Sequence, residues 1–267
     1  RYADASRWYR LSWQHRRPGD ISAGRIVAGG LALVEVMAGR HHHAESWMGQ
    51  HRNLMHSPDQ SPQFVDTVVA VASHLEALDR LDVNTARLSA DVAHASAGSE
   101  FWAFAAFAQA QWELVFGQPA TGLSVLARAR ADHPDDHSHA AAVLLTRANA
   151  ELLLAIGQGH RATQLLKTAD TDAEPTLALP LAWMYLLAAN PAAARQVATR
   201  ALIQESTTLP DRIGLLVIFA IAAASLADVA DAREAFEQAI SAAADSGIAR
   251  PFALSRADAL QSLQDTV

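Results

Sequence analysis

Residues 101–134, FWAFAAFAQAQWELVFGQPATGLSVLARARADHP, and residues 135–169, DDHSHAAAVLLTRANAELLLAIGQGHRATQLLKTA, follow one grammar. Each runs through a long apolar helix, a Gly turn and a shorter helix with small residues at fixed places. With Gly117 placed on Gly157, the other positions fall into register. Seven residues before the turn stand Ala110 and Ala150. Five after it stand Gly122 and Ala162, nine after it Leu126 and Leu166, and twelve after it Ala129 and Ala169. Four agreeing columns in two windows read as an internal duplication.

Traced outward, the same grammar places turns at Gly39, Leu81, Gly117, Gly157, Ala189 and Ala227. The column seven before the turn is Ala32, His74, Ala110, Ala150, Ala182 and Ala220. The column five after it is Ala44, Ala86, Gly122, Ala162, Ala194 and Ala232. Nine after it come Met48, Ala90, Leu126, Leu166, Ala198 and Phe236, and twelve after it His51, Ala93, Ala129, Ala169, Ala201 and Ala239. Small side chains are needed where two antiparallel helices cross closely. The pattern resembles the tetratricopeptide repeat, a helical hairpin with a period of roughly 34 residues. The small-residue columns and the large apolar residue of the second helix match. The regular Trp/Tyr positions and the constant period do not, so the repeats are degenerate. The extra residues fall in links at 56–62, 132–139 and 170–175. The resemblance implies an all-α fold. About six hairpins, near 21–56, 63–97, 100–132, 137–171, 175–206 and 210–246, would stack into a right-handed superhelix with a continuous core.

Composition agrees with an all-α fold. Hydrophobic residues make up 51% of the chain, and Ala, the best helix former, supplies much of that excess. The net charge of −7 argues against a broad nucleic-acid-binding surface. With no Cys, disulfides, thiolate catalysis and Cys-based zinc sites are excluded, and a reducing, cytoplasmic setting is expected. The most apolar run, Ile213–Leu226, is shorter than the ~20 residues a membrane helix needs. It reads as a buried helix, and no membrane partner is expected. The chain opens on Arg1 rather than Met, so the expectation is a segment of a longer protein, with residues 1–20 the remnant of a preceding helix. That stretch carries a local basic patch of Arg7, Arg10, Arg16 and Arg17. Its turn, Pro18-Gly19-Asp20, offers Asp20 or Ser22 as the next N-cap.

After the last hairpin comes GIARPFALSRADALQSL, residues 247–263. Gly247, Arg250, Pro251 and Phe252, continued by Leu260 and Leu263, resemble the segment that closes the helical-repeat region of MalT-like, LuxR-type bacterial regulators. In that family a helix-turn-helix domain follows shortly afterwards. The resemblance covers roughly residues 20–265. It implies a sensor domain without its ATPase module, since no G-x-x-x-x-G-K-[ST] phosphate loop is present. It would also lack the DNA-binding module. The tail's own task is to cap the exposed apolar end of a repeat array. Phe252, Leu254, Leu260 and Leu263 would supply the apolar surface, and Arg250 would reach Asp245 or an exposed helix C-terminus.

Two His-rich stretches invite a metal reading. His41, His42 and His43 stand near Glu45, His51 and His56, and His41 and Glu45 share a helix face. Asp132–His139 gathers carboxylates and imidazoles in a link. Both read first as polar surface, the second with Asp136 or Ser138 as an N-cap, and no metal or cofactor is assigned. No catalytic motif is present, so an enzyme is not expected.

Groove-facing residues on the first helices of the central hairpins are the stronger candidates, because in a tetratricopeptide superhelix these helices line the concave groove. They are Phe104, Phe107 and Gln111, then Arg147 and Glu151, then Trp183. Apolar walls with few polar anchors suit a small organic or peptide ligand. The plain alternative is an i,i+4 Arg147–Glu151 helix pair, worth about 0.3–0.5 kcal/mol, with Trp183 as packing. The expected function is a ligand- or partner-binding sensor domain of a LuxR-type regulator. Its partner would be a small-molecule inducer or a partner-protein peptide, and its output a biased homo-oligomerisation of the longer protein. The alternative is a tetratricopeptide scaffold holding a partner's peptide.

Overall fold

Five of the six aligned turns share one backbone conformation. The computed structural model describes residues 2–17, 19–54, 64–94, 100–169, 174–255, 259–261 and 263. In it Gly39, Leu81, Gly157, Ala189 and Ala227 all take positive φ, between 54° and 77°. The next residue's N–H then reaches back five positions. Arg40 donates to the Glu35 carbonyl, Asp82 to Ala77, Gln158 to Leu153, Asn190 to Tyr185 and Asp228 to Ala223, at 2.8–2.9 Å. This is the Schellman closure, in which a left-handed residue turns the chain and satisfies carbonyls the helix end would otherwise strand.

Gly117, the reference point of the alignment, is the exception. It is not among the residues of positive φ. The Gln118 N–H donates instead to Glu113 Oε2 at 2.8 Å. The span is still five residues, but a side-chain carboxylate takes the place of the backbone carbonyl.

The described residues are all-helical, without strands. They divide into two compact units, Arg1–Gln109 and Ala110–Val267. The first unit contains α1 (Tyr2–His15), α2 (Ile21–Met37), α3 (His41–Asn53), α4 (Phe64–Asp79) and α5 (Val83–His94). Helix α6 (Trp102–Val115) spans the boundary. The second unit continues with α7 (Pro119–Asp132), α8 (His139–Ala155) and α9 (Gly159–Thr168). A 3-10 turn (Pro175–Leu177) leads into α10 (Ala178–Leu187), followed by α11 (Pro191–Leu202), α12 (Leu209–Ser225), α13 (Val229–Ser246) and the short α14 (Arg250–Ala253). Consecutive helices pack on one another, α2 on α3, α4 on α5, α7 on α8, α8 on α9, α10 on α11, α11 on α12 and α12 on α13. No described helix is long and apolar enough to cross a membrane.

The columns mark where paired helices touch. Every residue seven before a turn is buried, from Ala32 to Ala220, and so is every residue five after one. In the second unit Gly122 of α7 is pressed chiefly by the next helix. A Cβ there would stand 2.8 Å from a methyl of Leu152 on α8 and 3.2 Å from the Cβ of Glu113 on α6. His74 is the one large residue in the earlier column, and its Nδ1 lies 2.7 Å from the carbonyl oxygen of Ala86, the facing residue of the other column. The outer columns are looser, since Ala129 and Ala169 are only half-buried while Ala201 and Ala239 are buried. Ala90 and Ala93 lie outside the residues whose side chains are described.

In the first unit α1 packs on α2. Trp13 meets Trp47 edge-on at 5.2 Å, and the Arg16 guanidinium lies 3.7 Å over the Trp13 ring. Asp20 is the N-cap of α2, accepting from the Ala23 N–H at 3.0 Å.

In the second unit the tail caps the last hairpin. Helix α13 ends on left-handed Gly247 at φ 73°. The Phe252 ring meets Phe236 at 6.4 Å. Leu263 is buried against α12 and α13, with Leu260 packed alongside. Of the expected capping residues, Phe252, Leu260 and Leu263 do this work, while Leu254 turns to a neighbouring cavity.

Candidate functional site

Helices α8 and α12 each bring a charge into the same buried place. On α8, Arg147 and Glu151 stand one turn apart, and Arg147 Nε donates to Glu151 Oε1 at 2.9 Å. On α12, Asp211 approaches the other end of the guanidinium, its Oδ1 2.6 Å from Arg147 Nη2. Asp211 is held there by its place in the helix start. Thr208 is the N-cap of α12, and its hydroxyl donates to Asp211 Oδ2 at 2.9 Å. The helix cap and the ion pair therefore share one carboxylate.

The network continues outward from Glu151. Gln111 Nε2 donates to Glu151 Oε2 at 2.5 Å. Gln111 Oε1 accepts from Arg250 Nη1 at 2.6 Å. Arg250, Gln111, Glu151, Arg147, Asp211 and Thr208 thus form one chain, with two cations and two anions alternating about a neutral amide. Each charged member, and Gln111, is more than nine-tenths buried. Burial by itself would weaken Arg147's hold on its proton. The carboxylates of Asp211 and Glu151 outweigh that effect and raise its pKa above the ordinary arginine value.

A cavity of about 20 Å³ adjoins the network, lined by Gln111, Arg147, Glu151, Trp183 and Gly214 and by the tail residues Arg250 and Leu254. That is about the space of one water molecule. The sequence-predicted residues Gln111, Arg147, Glu151 and Trp183 are therefore brought together. Phe104 and Phe107 lie on the first unit's share of α6, with Phe107 buried and Phe104 half-buried. Arg147 and Glu151 are not a solvated helix pair, because both are enclosed and each has a second partner. Arg250, expected near Asp245 or a helix end, reaches Gln111.

Asp211 and Arg250 were not among the predicted site residues. Asp211 sits in the sequence Thr-Leu-Pro-Asp, which reads as a helix start and hides its second role. Arg250 was legible as a tail residue, but its partner stands 139 positions away.

The His-rich stretches disperse onto separate carboxylates and carbonyls. His41 Nε2 lies 3.1 Å from Asp79 Oδ2, His51 Nε2 lies 3.2 Å from Asp66 Oδ1, and His42 faces Glu45 at 3.7 Å. His56 is outside the described residues. In the second stretch His133 Nδ1 is 3.0 Å from the Ala129 carbonyl, and His139 Nε2 is 2.6 Å from Glu174. Ser138 supplies the N-cap of α8. Among the described residues no group of three or more His, Asp or Glu side chains is placed to hold a metal ion.

No protein-family model matches the chain, and no curated protein shows significant similarity to it.

Proposed function

We propose that this chain is the ligand- or partner-binding sensor segment of a MalT-like, LuxR-type bacterial regulator, built as a superhelical array of about six degenerate tetratricopeptide-like hairpins. The observation that supports it most is the Arg250–Gln111 hydrogen bond at 2.6 Å. The arginine of the G-x-x-R-P-F segment is tied to the polar residues that would line the groove of such an array. In the family this segment resembles, the next domain is the one that binds DNA.

The mechanism is a population shift. With the tail docked, the network is closed and its cavity holds no more than a water. A small inducer or a partner's peptide that pairs with Arg147, Glu151 or Gln111 competes with Arg250 and favours a tail-released arrangement. Such a ligand acts only as far as it binds the released form better than the docked one. Release would then alter how the longer protein self-associates.

Two measurements test the reading. The gene region after the codon for Val267 should encode a helix-turn-helix domain, and its absence there rejects the regulator assignment. A thermal-shift screen of metabolites and peptides should find a ligand whose effect disappears in Arg147→Ala/Glu151→Ala. An effect that survives both substitutions rejects the site.

A further inference from the structure

The basic patch at the start of the chain takes no part in the buried network, and the structure gives it a second surface to work with. In the first unit a broad, open cleft of about 490 Å³ lies between α1, the end of α2 and the start of α3. It is lined by Ala3, Ser6, Arg7, Arg10, Leu11, Gln14, Glu35, Arg40 and His43. Its size lies within the ~300–1,000 Å³ of small-molecule sites.

The charge is uneven. Three guanidiniums face one carboxylate, in a chain whose overall charge is −7. The carboxylate is Glu35, whose side chain is fully buried. Its Oε1 accepts from the Ser6 hydroxyl at 2.8 Å and from Arg10 Nη2 at 3.1 Å, and its Oε2 accepts from Arg40 Nε. Burial would push the Glu35 carboxyl up. Hydrogen bonds from Arg40, Ser6 and Arg10 overcome that and leave its pKa lowered, so it stays charged and orients two arginines.

Those two are not used up by the pairing. Arg10 and Arg40 keep 48% and 40% of their side-chain surface exposed. Arg7 is exposed on the α1 face one turn before Arg10 and lines the same cleft. A guanidinium is a planar fork that meets carboxylate or phosphate oxygens two at a time. Gln14 and His43 add side chains able to donate hydrogen bonds, and Ala3 and Leu11 supply an apolar wall.

We propose that this cleft binds a small organic anion carrying more than one carboxylate or phosphate group. Arg7, Arg10 and Arg40 grip the oxyanions, and Glu35 is the positioning residue that presents the last two. The site involves none of the tail network, so it stands or falls apart from the regulator reading.

The test is isothermal titration calorimetry on the full chain at physiological salt, with citrate as the organic probe and inorganic phosphate as the small one. Citrate should bind saturably and at least about tenfold more tightly than phosphate. Arg7→Gln should weaken citrate by about tenfold. Arg7 is exposed and buries nothing, so this variant keeps the fold, which a circular dichroism melt verifies. Arg87→Gln, at an exposed arginine on α5 outside the cleft, should leave the affinity unchanged. No saturable citrate binding overturns the proposal, as does an equal loss in Arg7→Gln and Arg87→Gln, which would mean diffuse attraction. Phosphate binding as tightly as citrate overturns the organic assignment.

Discussion

Arg250 and Gln111 are separated by 139 positions in sequence and joined by one hydrogen bond of 2.6 Å, made between two buried side chains. The bond matters because Gln111 has no charge to offer. Its amide passes the tail's arginine on to Glu151, which Arg147 also holds. Breaking the relay at any point leaves a buried polar group without its partner, and that loss costs more than the bond itself contributes.

Arg147 is the most costly point at which to break it. Arg147→Met would leave both Glu151 and Asp211 buried without the guanidinium, and should destabilise the second unit by about 3–5 kcal/mol. Urea denaturation measures it. Asp211→Asn should cost less in the Arg147→Met background than in the wild type, with a coupling of about 0.5–3 kcal/mol. Additive losses would mean that the two residues do not interact.

The columns make a steric prediction. Ala162 and Ala232 are fully buried at helix crossings, so Ala162→Leu or Ala232→Leu should destabilise by about 1–3 kcal/mol through overpacking. Ala129 belongs to a column of the same alignment but is only half-buried. Ala129→Leu should change the melting temperature little.

The turns make the opposite kind of prediction. Leu81, Ala189 and Ala227 hold left-handed backbone at φ 57°, 54° and 62°, a conformation that costs a side-chain-bearing residue about 1–2 kcal/mol. Ala227→Gly relieves that strain, and the freer unfolded chain offsets part of the gain. A net rise in melting temperature is expected. Gly157 at φ 76° should behave in reverse, with Gly157→Ala lowering it.

Much of this was readable in the sequence because it depends on local chemistry. A left-handed turn and a close helix crossing select residues by shape alone, so the turn positions and small columns could be aligned without coordinates. Gly117 misled for the same reason: a Gly can close a turn in more than one way, and here Glu113 does the closing. The buried network was half legible. Arg147, Glu151 and Gln111 were placed by counting back from the turns, a count that respects helix geometry. Their burial was not legible, because it involves partners far along the chain, Asp211 of α12 and Arg250 of the tail. Glu35 was missed because a single Glu in an apolar helix gives no sign of the arginines that α1 and the turn after α2 bring to it.

His74 should leave a mark on the pH dependence of stability. Burial lowers its pKa below the ordinary 6.5, and the Ala86 and Ala108 carbonyls, which favour the protonated ring, only partly oppose this. A histidine kept neutral in the fold binds fewer protons there than in the unfolded chain. Its contribution is complete above about pH 6.5 and is lost as the pH falls toward its folded value. Stability of the wild type should therefore drop on acidification from pH 6.5. His74→Ala, which installs the residue found elsewhere in that column, should flatten part of that slope in urea melts recorded across the range.

Hydrogen–deuterium exchange of residues 247–255 tests the tail tie most directly, with Gln111→Met compared against the wild type. Met keeps the volume of Gln but can neither accept from Arg250 nor donate to Glu151. Amides around α14 should exchange much faster in the variant, while those of α10 and α11 keep their protection. Unchanged protection around α14 in a folded Gln111→Met chain would contradict the tie, because the tail would then be held by its apolar contacts alone.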